Sequence, residues 1–186
     1  MHGALEHQEQ LEELERLKKR LAEERPADWE GLPDIPLYMD QVVSYLSRQL
    51  IAFGGGDTLT SAMINNYIKD GLVPRANGKK YEREHLAYLT VIAAAKQVLS
   101  VRDMSTLLGA MSGPIDVREG YEGFCAELDL ALRETLSDIE AAPNQNDLPA
   151  LAMTLALRSY ADCLACRRIV ELLRPEEDRT HKKKDK

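Results

Sequence analysis

The chain has little cysteine, few aromatic residues and no long apolar run. Its three cysteines are an odd number in 186 residues, which suits a reducing compartment better than a disulfide framework. No run of about 18 or more apolar residues occurs, so we predict no membrane span and no membrane partner. The N-terminus is rich in Glu and lacks the apolar segment of a secretory signal. Together these absences predict a soluble cytoplasmic protein.

Residue patterns of enzymatic chemistry are also missing. We find no nucleophile beside a base, no paired carboxylates in a credible cleft and no cofactor loop. The glycines Gly54–Gly56 resemble a phosphate loop only in composition, because no Lys-Ser or Lys-Thr pair follows them. We therefore predict that the protein is not an enzyme, that it has no catalytic residues and that it binds no cofactor.

Cys163 and Cys166 form a CxxC pair inside a predicted helix. Together with Cys125 such a pair can bind a metal or undergo redox chemistry. Metal sites of this kind usually need a second CxxC or a nearby His, and a redox pair usually lies at a helix start after a strand. Neither condition is met, so we interpret the cysteines as packing residues and predict no metal site.

The residues that are abundant favour helices, and their charge is unevenly distributed. Apolar residues make up 44% of the chain and charged residues 30%, with many Leu, Ala, Glu, Lys and Arg, a mixture typical of helical proteins. The net charge is −7, but residues 58–102 carry +4 and the remainder therefore carries −11. An acidic body with one basic region can attract phosphate locally while it discourages non-specific coating of nucleic acid.

Apolar periodicity and helix breakers divide the chain into four parts. Residues 1–27 form a charged helix with a narrow apolar edge, either a short coiled-coil contact or an exposed extension. Residues 28–114 form the main domain. Residues 115–175 hold two long helices and are predicted to mediate dimerisation, and residues 176–186 form a charged tail that we expect to be disordered.

The main domain has the sequence features of a winged helix-turn-helix. A short helix is predicted over Ala62–Lys69 and ends at Gly71, which suits a left-handed conformation. The Asn-Gly pair at 77–78 is the strongest short signal of a hairpin turn. It predicts a two-stranded ribbon of Leu72–Arg75 against Lys79–Tyr81. The expected fold is therefore mainly α, a winged helix-turn-helix with a small β-ribbon wing, followed by a C-terminal helical hairpin.

Eight residues of this domain are predicted to contact double-stranded DNA. The cations of the ribbon would contact phosphate and fix position, whereas the outer face of the short helix would contact bases. Asn can form two hydrogen bonds to adenine, and Ser can bond a base or a phosphate. The alternative is that the cations only solvate a loop and the asparagines line an ordinary helix. The predicted DNA-binding residues are Ser61, Asn65, Asn66, Lys69, Arg75, Lys79, Lys80 and Arg83.

The last long helix, predicted over Leu148–Leu173, is apolar on nearly every side. A helix of this kind needs cover on most of its surface. In a chain of this size, we expect that cover to come from the preceding helix and from a second copy. The sequence therefore predicts a homodimer formed through the C-terminal helices.

The main domain contains four distinctive motifs, LPDIPLYMDQV (Leu32–Val42), LTSAMINNYIKDGLVP (Leu59–Pro74), KKYEREHLAYL (Lys79–Leu89) and KQVLSVRDM (Lys96–Met104). These motifs resemble the bacterial family known as domain of unknown function 1836. The segment Leu32–Leu108 that contains them covers about two-fifths of the chain, and the motifs are specific in their order and composition. The family carries no assigned biochemical activity.

The central part of that family is similar to the DNA-binding domain of MerR-type transcription regulators. In those proteins a recognition helix ending in Tyr is followed by Gly-Leu, Pro, a basic wing ending in Tyr, and a capped short helix. This chain has Asn65-Asn66 where MerR-type proteins usually have Arg-Tyr, so it lacks their phosphate-contacting arginine. The resemblance implies a DNA-binding regulator. The matching residues are Tyr67, Gly71-Leu72, Pro74, Lys79-Lys80-Tyr81 and Ser100-Val101-Arg102-Asp103.

The sequence leaves more than one function open. The first is a DNA-binding transcriptional regulator that acts as a homodimer. The alternative is a protein-interaction module that retains the winged-helix fold without DNA contact. A third, a ligand-sensing regulator with a pocket between the last two helices, rests on the apolar excess of those helices alone.

Overall fold

The computed structural model describes residues 2–51, 58–111, 116–142 and 147–175, with side chains from residue 8 onward. The glycines at 54–56, residues 143–146 before the last predicted helix and the charged tail at 176–186 lie outside these residues. Seven helices form in the described part of the chain, which confirms the prediction of a mainly α protein. They are α1 (His2–Glu23), α2 (Met39–Leu46), α3 (Ser61–Lys69), α4 (Arg83–Ala95), α5 (Val101–Met111), α6 (Val117–Glu140) and α7 (Leu148–Leu173).

Helix α4 lies at the centre of the hydrophobic core. Its Leu86, Leu89 and Ile92 side chains are fully buried, and the helix packs against α2 and α6, while α2 also contacts α3. Thr90 is buried as well, and its hydroxyl donates to the carbonyl of Leu86 at 2.8 Å. That bond satisfies the one polar side-chain group that Thr90 brings into the core.

The helix ends follow the chemistry of their residues. The Thr60 hydroxyl accepts a hydrogen bond from the Met63 backbone N–H at 3.2 Å, which caps the start of α3. Gly71 adopts a φ of +75° after the end of α3, as the sequence predicted. At the start of α5, the Ser100 hydroxyl accepts from the Asp103 N–H at 3.2 Å and donates to the Asp103 carboxylate at 2.7 Å.

The prediction of a winged fold with a β-ribbon is wrong. The backbone N–H groups of Leu72 and Val73 donate to the Tyr67 carbonyl at 2.9 and 3.4 Å, and both side chains are buried. This segment therefore closes the end of α3 and cannot pair with Lys79–Tyr81. The described residues contain two isolated bridges and no strand or sheet.

Two isolated antiparallel bridges form in place of the predicted ribbon. The Asn-Gly turn forms, but it closes only one pair, in which Asn77 and Lys80 exchange two hydrogen bonds of 3.2 Å. Tyr81 then pairs with Leu37, with both hydrogen bonds at 2.8 Å. The segment before α4 thus pairs with the segment before α2, a contact between residues far apart in the chain.

The prediction of a C-terminal helical hairpin is also wrong, because the last two helices pack mainly on different elements. Helix α6 packs against α1 and α4, whereas α7 packs against α5. The Arg25–Asp129 ion pair, at 2.6 Å, joins the chain after α1 to α6. At the other end, Arg174 pairs with Asp103 of α5. Between α6 and α7, Arg158 forms an ion pair with Asp138.

Candidate nucleic-acid interface

Helix α3 has one buried face and one exposed polar face. Ile64 and Tyr67 are buried and anchor the helix to the core. Because residues three or four positions apart share a helix face, the opposite surface carries a polar series that starts at the first residue. That series consists of Ser61, Asn65, Asn66 and Lys69, and all four are exposed. The structure therefore brings together the four residues of α3 that were predicted to contact DNA.

The basic turn, which we define as residues 75–80, follows α3 after a short buried segment. Arg75, Lys79 and Lys80 are exposed. Gly78 has a φ of +66°, a conformation that an L side chain rarely adopts. The glycine thus allows a tight reversal that places two lysines directly after it.

His85, which is not among the predicted site residues, connects the basic turn to α4. Its Nδ1 accepts a hydrogen bond from the Glu82 backbone N–H at 3.0 Å, and its Nε2 lies 3.3 Å from the Arg75 carbonyl oxygen. Because Nδ1 is an acceptor, the ring proton must be on Nε2, where it is donated to Arg75. The side chain is buried. A His three residues after Glu82, at the third position of the helix, was the available sequence signal.

Unlike the cations of the basic turn, Arg83 contacts side chains of the segment before α2. Its guanidinium carbon is 5.8 Å from the centre of the Trp29 ring, and its Nη1 is 3.6 Å from a carboxylate oxygen of Glu30. Glu30 also pairs with Arg118 of α6 at 2.9 Å. The Arg83 side chain is 22% exposed, so it joins the segment before α2 to α4.

The cations of the basic turn keep their charge available to a ligand. Among the residues that the structure describes, Arg75, Lys79 and Lys80 form no salt bridge with an acidic side chain. By contrast, four arginines on helices α1 and α6 each pair with a neighbouring carboxylate. They are Arg16, Arg20, Arg118 and Arg133. The turn is therefore a local positive charge on an acidic protein, and such a charge favours phosphate.

Tyr121 joins α6 to the linker before α2. Its hydroxyl donates to the Ala27 carbonyl at 2.7 Å, and its ring lies 6.2 Å from Trp29 and 6.0 Å from Phe124. Burial raises the pKa of Tyr121 above its usual range, so the phenol is neutral and acts as a donor. The linker before α2 and the first turns of α6 are thereby held together.

The three cysteines are free thiols with partly buried side chains. Burial is the main cause that raises the pKa of the Cys125 thiol, which disfavours the reactive thiolate. Cys163 and Cys166 are half-buried and free. No group of three or more His, Cys, Asp or Glu residues in the described ranges is arranged to hold a metal.

None of the helices in the parts of the chain described above is both long enough and apolar enough to cross a membrane.

The comparisons identify a family for the domain that contains these residues. The family described as Domain of unknown function (DUF1836) matches residues 27–124, from Ala27, which accepts the Tyr121 hydrogen bond, to Phe124 beside the same ring. No curated protein and no solved structure matches the chain. The similarity to MerR-type regulators stays a prediction. Because the match spans more than half of the 186 residues, the chain belongs to the DUF1836 family.

Proposed function

We propose that the protein is a DNA-binding transcriptional regulator that acts as a homodimer. The observation that supports DNA binding best is the continuity of an exposed polar helix face with a group of cations. The face of α3 ends at Lys69, and the chain then runs through a buried segment into Arg75 and the two lysines of the turn. Polar side chains for bases and cations for phosphates thus lie on one short stretch of one domain.

The charge distribution supports the same function. Residues 58–102 carry +4 in a chain of −7. A cation that is not neutralised by a carboxylate releases a counterion from DNA when it binds a phosphate. The three cations of the basic turn meet that condition in the described residues, and Lys69 adds a fourth beside the helix face.

The rigid support of the turn makes such contacts favourable. His85 bonds the Arg75 carbonyl from α4, and the Leu37–Tyr81 pair fixes the other end of the turn. Less conformational entropy is lost when a ligand binds a segment whose backbone is already ordered. Asn65 and Asn66 would provide any base discrimination, because Asn pairs with adenine through two hydrogen bonds.

The test compares one lysine of the turn with one lysine elsewhere. Lys79→Ala should weaken binding to mixed-sequence duplex DNA and reduce the slope of log affinity against log salt by about one. Lys19→Ala on α1 is the matched control, since it removes the same charge from an exposed side chain outside the proposed interface. Fluorescence anisotropy at several salt concentrations measures both. Equal effects of the two variants would contradict an interface at the turn.

The exposed apolar face of α7 supports dimerisation. Met153, Leu157, Tyr160 and Leu164, which we call the α7 stripe, are 61%, 60%, 68% and 59% exposed. Their spacing of four, three and four residues places them on one side of the helix and is the spacing of a coiled-coil seam. Contiguous exposed apolar surface of this kind usually marks an interaction site. Val170, on another side of α7, is buried instead.

A second copy of α7 is the occupant that fits the stripe. The stripe is self-complementary, because large apolar residues at both of its ends can meet those of an identical helix in a two-fold arrangement. Arg168 pairs with Glu171 at 2.7 Å, whereas Arg167 forms no salt bridge among the described residues and follows the stripe at one end only. Antiparallel pairing keeps the Arg167 side chains of the two copies at opposite ends, whereas parallel pairing would bring them together. The proposed dimer is therefore antiparallel.

Sedimentation equilibrium tests the dimer directly. Wild-type protein should have about twice the chain mass of 20.9 kDa, and the double variant L157S/Y160S should have the mass of one chain. Leu130→Ser is the matched control, because Leu130 is 49% exposed but lies on α6. A wild-type mass of one chain at micromolar concentration, or the same loss in the control, would contradict pairing through α7.

Protein interaction without DNA contact is the second candidate function. A further group of exposed apolar residues on α7, Ile169, Leu172 and Leu173, favours it, because the rotation of about 100° per residue places this group away from the stripe. This function predicts that the Lys79→Ala substitution changes no binding activity. Substitutions at Ile169 or Leu172 would then change the composition of the assembly.

A further inference from the structure

Tyr38 lies directly across from Lys80 because of the pairing of their neighbours. Leu37 and Tyr81 exchange two backbone hydrogen bonds of 2.8 Å in an antiparallel bridge. In an antiparallel pair, the residue after Leu37 faces the residue before Tyr81, and opposing side chains project to the same side. Accordingly, the Lys80 ammonium lies 5.9 Å from the centre of the Tyr38 ring. The ring is 51% exposed, so its surroundings alone do not require an aromatic residue.

We propose that Tyr38 is a positioning residue that holds the Lys80 ammonium for contact with a DNA phosphate; this inference rests on the function proposed above. A lysine side chain has large rotamer entropy, and fixing it on a ligand costs part of the binding free energy. The face of a tyrosine ring attracts an ammonium group and restricts where it moves. Because Lys80 itself is exposed, its remaining N–H donors are accessible to phosphate oxygens.

The backbone of Tyr38 is held independently of its ring, so the ring can be changed with little effect on folding. The Tyr38 N–H donates to the Gln41 side chain at 2.9 Å, and its carbonyl accepts from the Val42 N–H at 2.9 Å. Any residue other than proline retains these bonds. The effect of a substitution on DNA binding can therefore be measured on a folded domain.

Substitutions of Tyr38, alone and combined with lysine substitutions, separate the contribution of the ring face from those of the hydroxyl and of Lys80. Tyr38→Phe keeps the ring face and should bind mixed-sequence duplex DNA like the wild type, whereas Tyr38→Leu should bind about two- to fivefold more weakly. The Tyr38→Leu effect should disappear in a Lys80→Ala background. It should persist in a Lys79→Ala background, which is the matched control on the same turn. Fluorescence anisotropy at low salt measures all of these affinities.

A second measurement follows the contact without DNA. Proton NMR should show the Lys80 ε-methylene resonances shifted by the aromatic ring in the wild type and in Tyr38→Phe, and unshifted in Tyr38→Leu. Wild-type binding combined with an unchanged affinity of Tyr38→Leu would overturn this inference alone. An equal effect of Tyr38→Leu in the Lys80→Ala background would also overturn it, since Tyr38 would then act without Lys80. Absence of wild-type binding would overturn both the proposed function and this role.

Discussion

Helices α4 and α7 are both rich in apolar residues, yet the structure uses them in opposite ways. In α4 the apolar residues Leu86, Ala87, Leu89 and Ile92 are all buried. In the much longer α7, only Val170 is buried among the residues that the structure describes. The difference comes from their neighbours, since α4 packs against both α2 and α6, whereas α7 packs against α5. Apolar composition alone therefore does not tell whether a helix is covered by its own chain or by another.

We expect the largest difference in the free energy of unfolding between alanine substitutions of one leucine from each helix. Leu89→Ala in α4 should lower the free energy of unfolding by about 2–5 kcal/mol, because the side chain is fully buried and the substitution leaves a cavity. Leu157→Ala in α7 should change it by less than about 0.5 kcal/mol at protein concentrations where the chain is monomeric. Urea unfolding measures both. Similar losses in the two variants would mean that α7 is packed within its own chain.

A smaller effect concerns the anchor that holds α7 to the domain. The Ser100 hydroxyl, and next the Arg174 guanidinium, lower the pKa of Asp103. Both partner side chains of the Arg174–Asp103 pair are largely buried. Asp103→Asn should therefore lower the free energy of unfolding by about 2 kcal/mol at pH 7.

The pH dependence of that effect has a definite sign. Because the folded pKa of Asp103 lies below the unfolded value of about 3.9, its stabilisation is complete above that value and is lost as pH falls through the folded pKa. The difference between the wild type and Asp103→Asn should thus shrink in acid. Urea unfolding at pH 7 and at about pH 3 measures it. A difference that stays constant with pH would exclude ionised Asp103 as the anchor.

The smallest effect compares two tyrosine hydroxyls. Tyr121→Phe removes the hydrogen bond to the Ala27 carbonyl and should cost about 1 kcal/mol of the free energy of unfolding. Tyr160→Phe in the α7 stripe is the matched control and should be neutral at protein concentrations where the chain is monomeric, since Tyr160 is 68% exposed there. Thermal unfolding of both variants checks this prediction. An equally neutral Tyr121→Phe would show that the Tyr121 ring stabilises this contact by packing alone and that the hydrogen bond to Ala27 contributes nothing measurable.

Local chemistry explains which features could be predicted from the sequence. The end of α3 at Gly71, the turn at Gly78 and the capping of α5 by Ser100 depend on residues within a few positions of each other, and the structure has all three. The exposed polar face of α3 follows equally from helical periodicity. These features required no knowledge of distant contacts.

The features that were missed depend on distant contacts. The pairing of Leu37 with Tyr81 could not be inferred from the turn, because a turn signal predicts a reversal and not the partner of the strand that leaves it. The Arg83 contact with Trp29 and the buried position of His85 likewise depend on where the segment before α2 lies. The sequence therefore indicated the exposed cations of the basic turn, but not that Arg83 contacts other side chains of the fold.

The salt dependence of wild-type binding to mixed-sequence duplex DNA shows whether the basic turn binds phosphate. The protein should bind at micromolar concentration at about 50 mM salt, and log affinity should fall linearly with log salt. A variant without residues 176–186 should behave in the same way, which separates the basic turn from the lysines at 182–184. No binding of the wild type at low salt, or binding that is lost when residues 176–186 are removed, would exclude the basic turn as a DNA-binding surface.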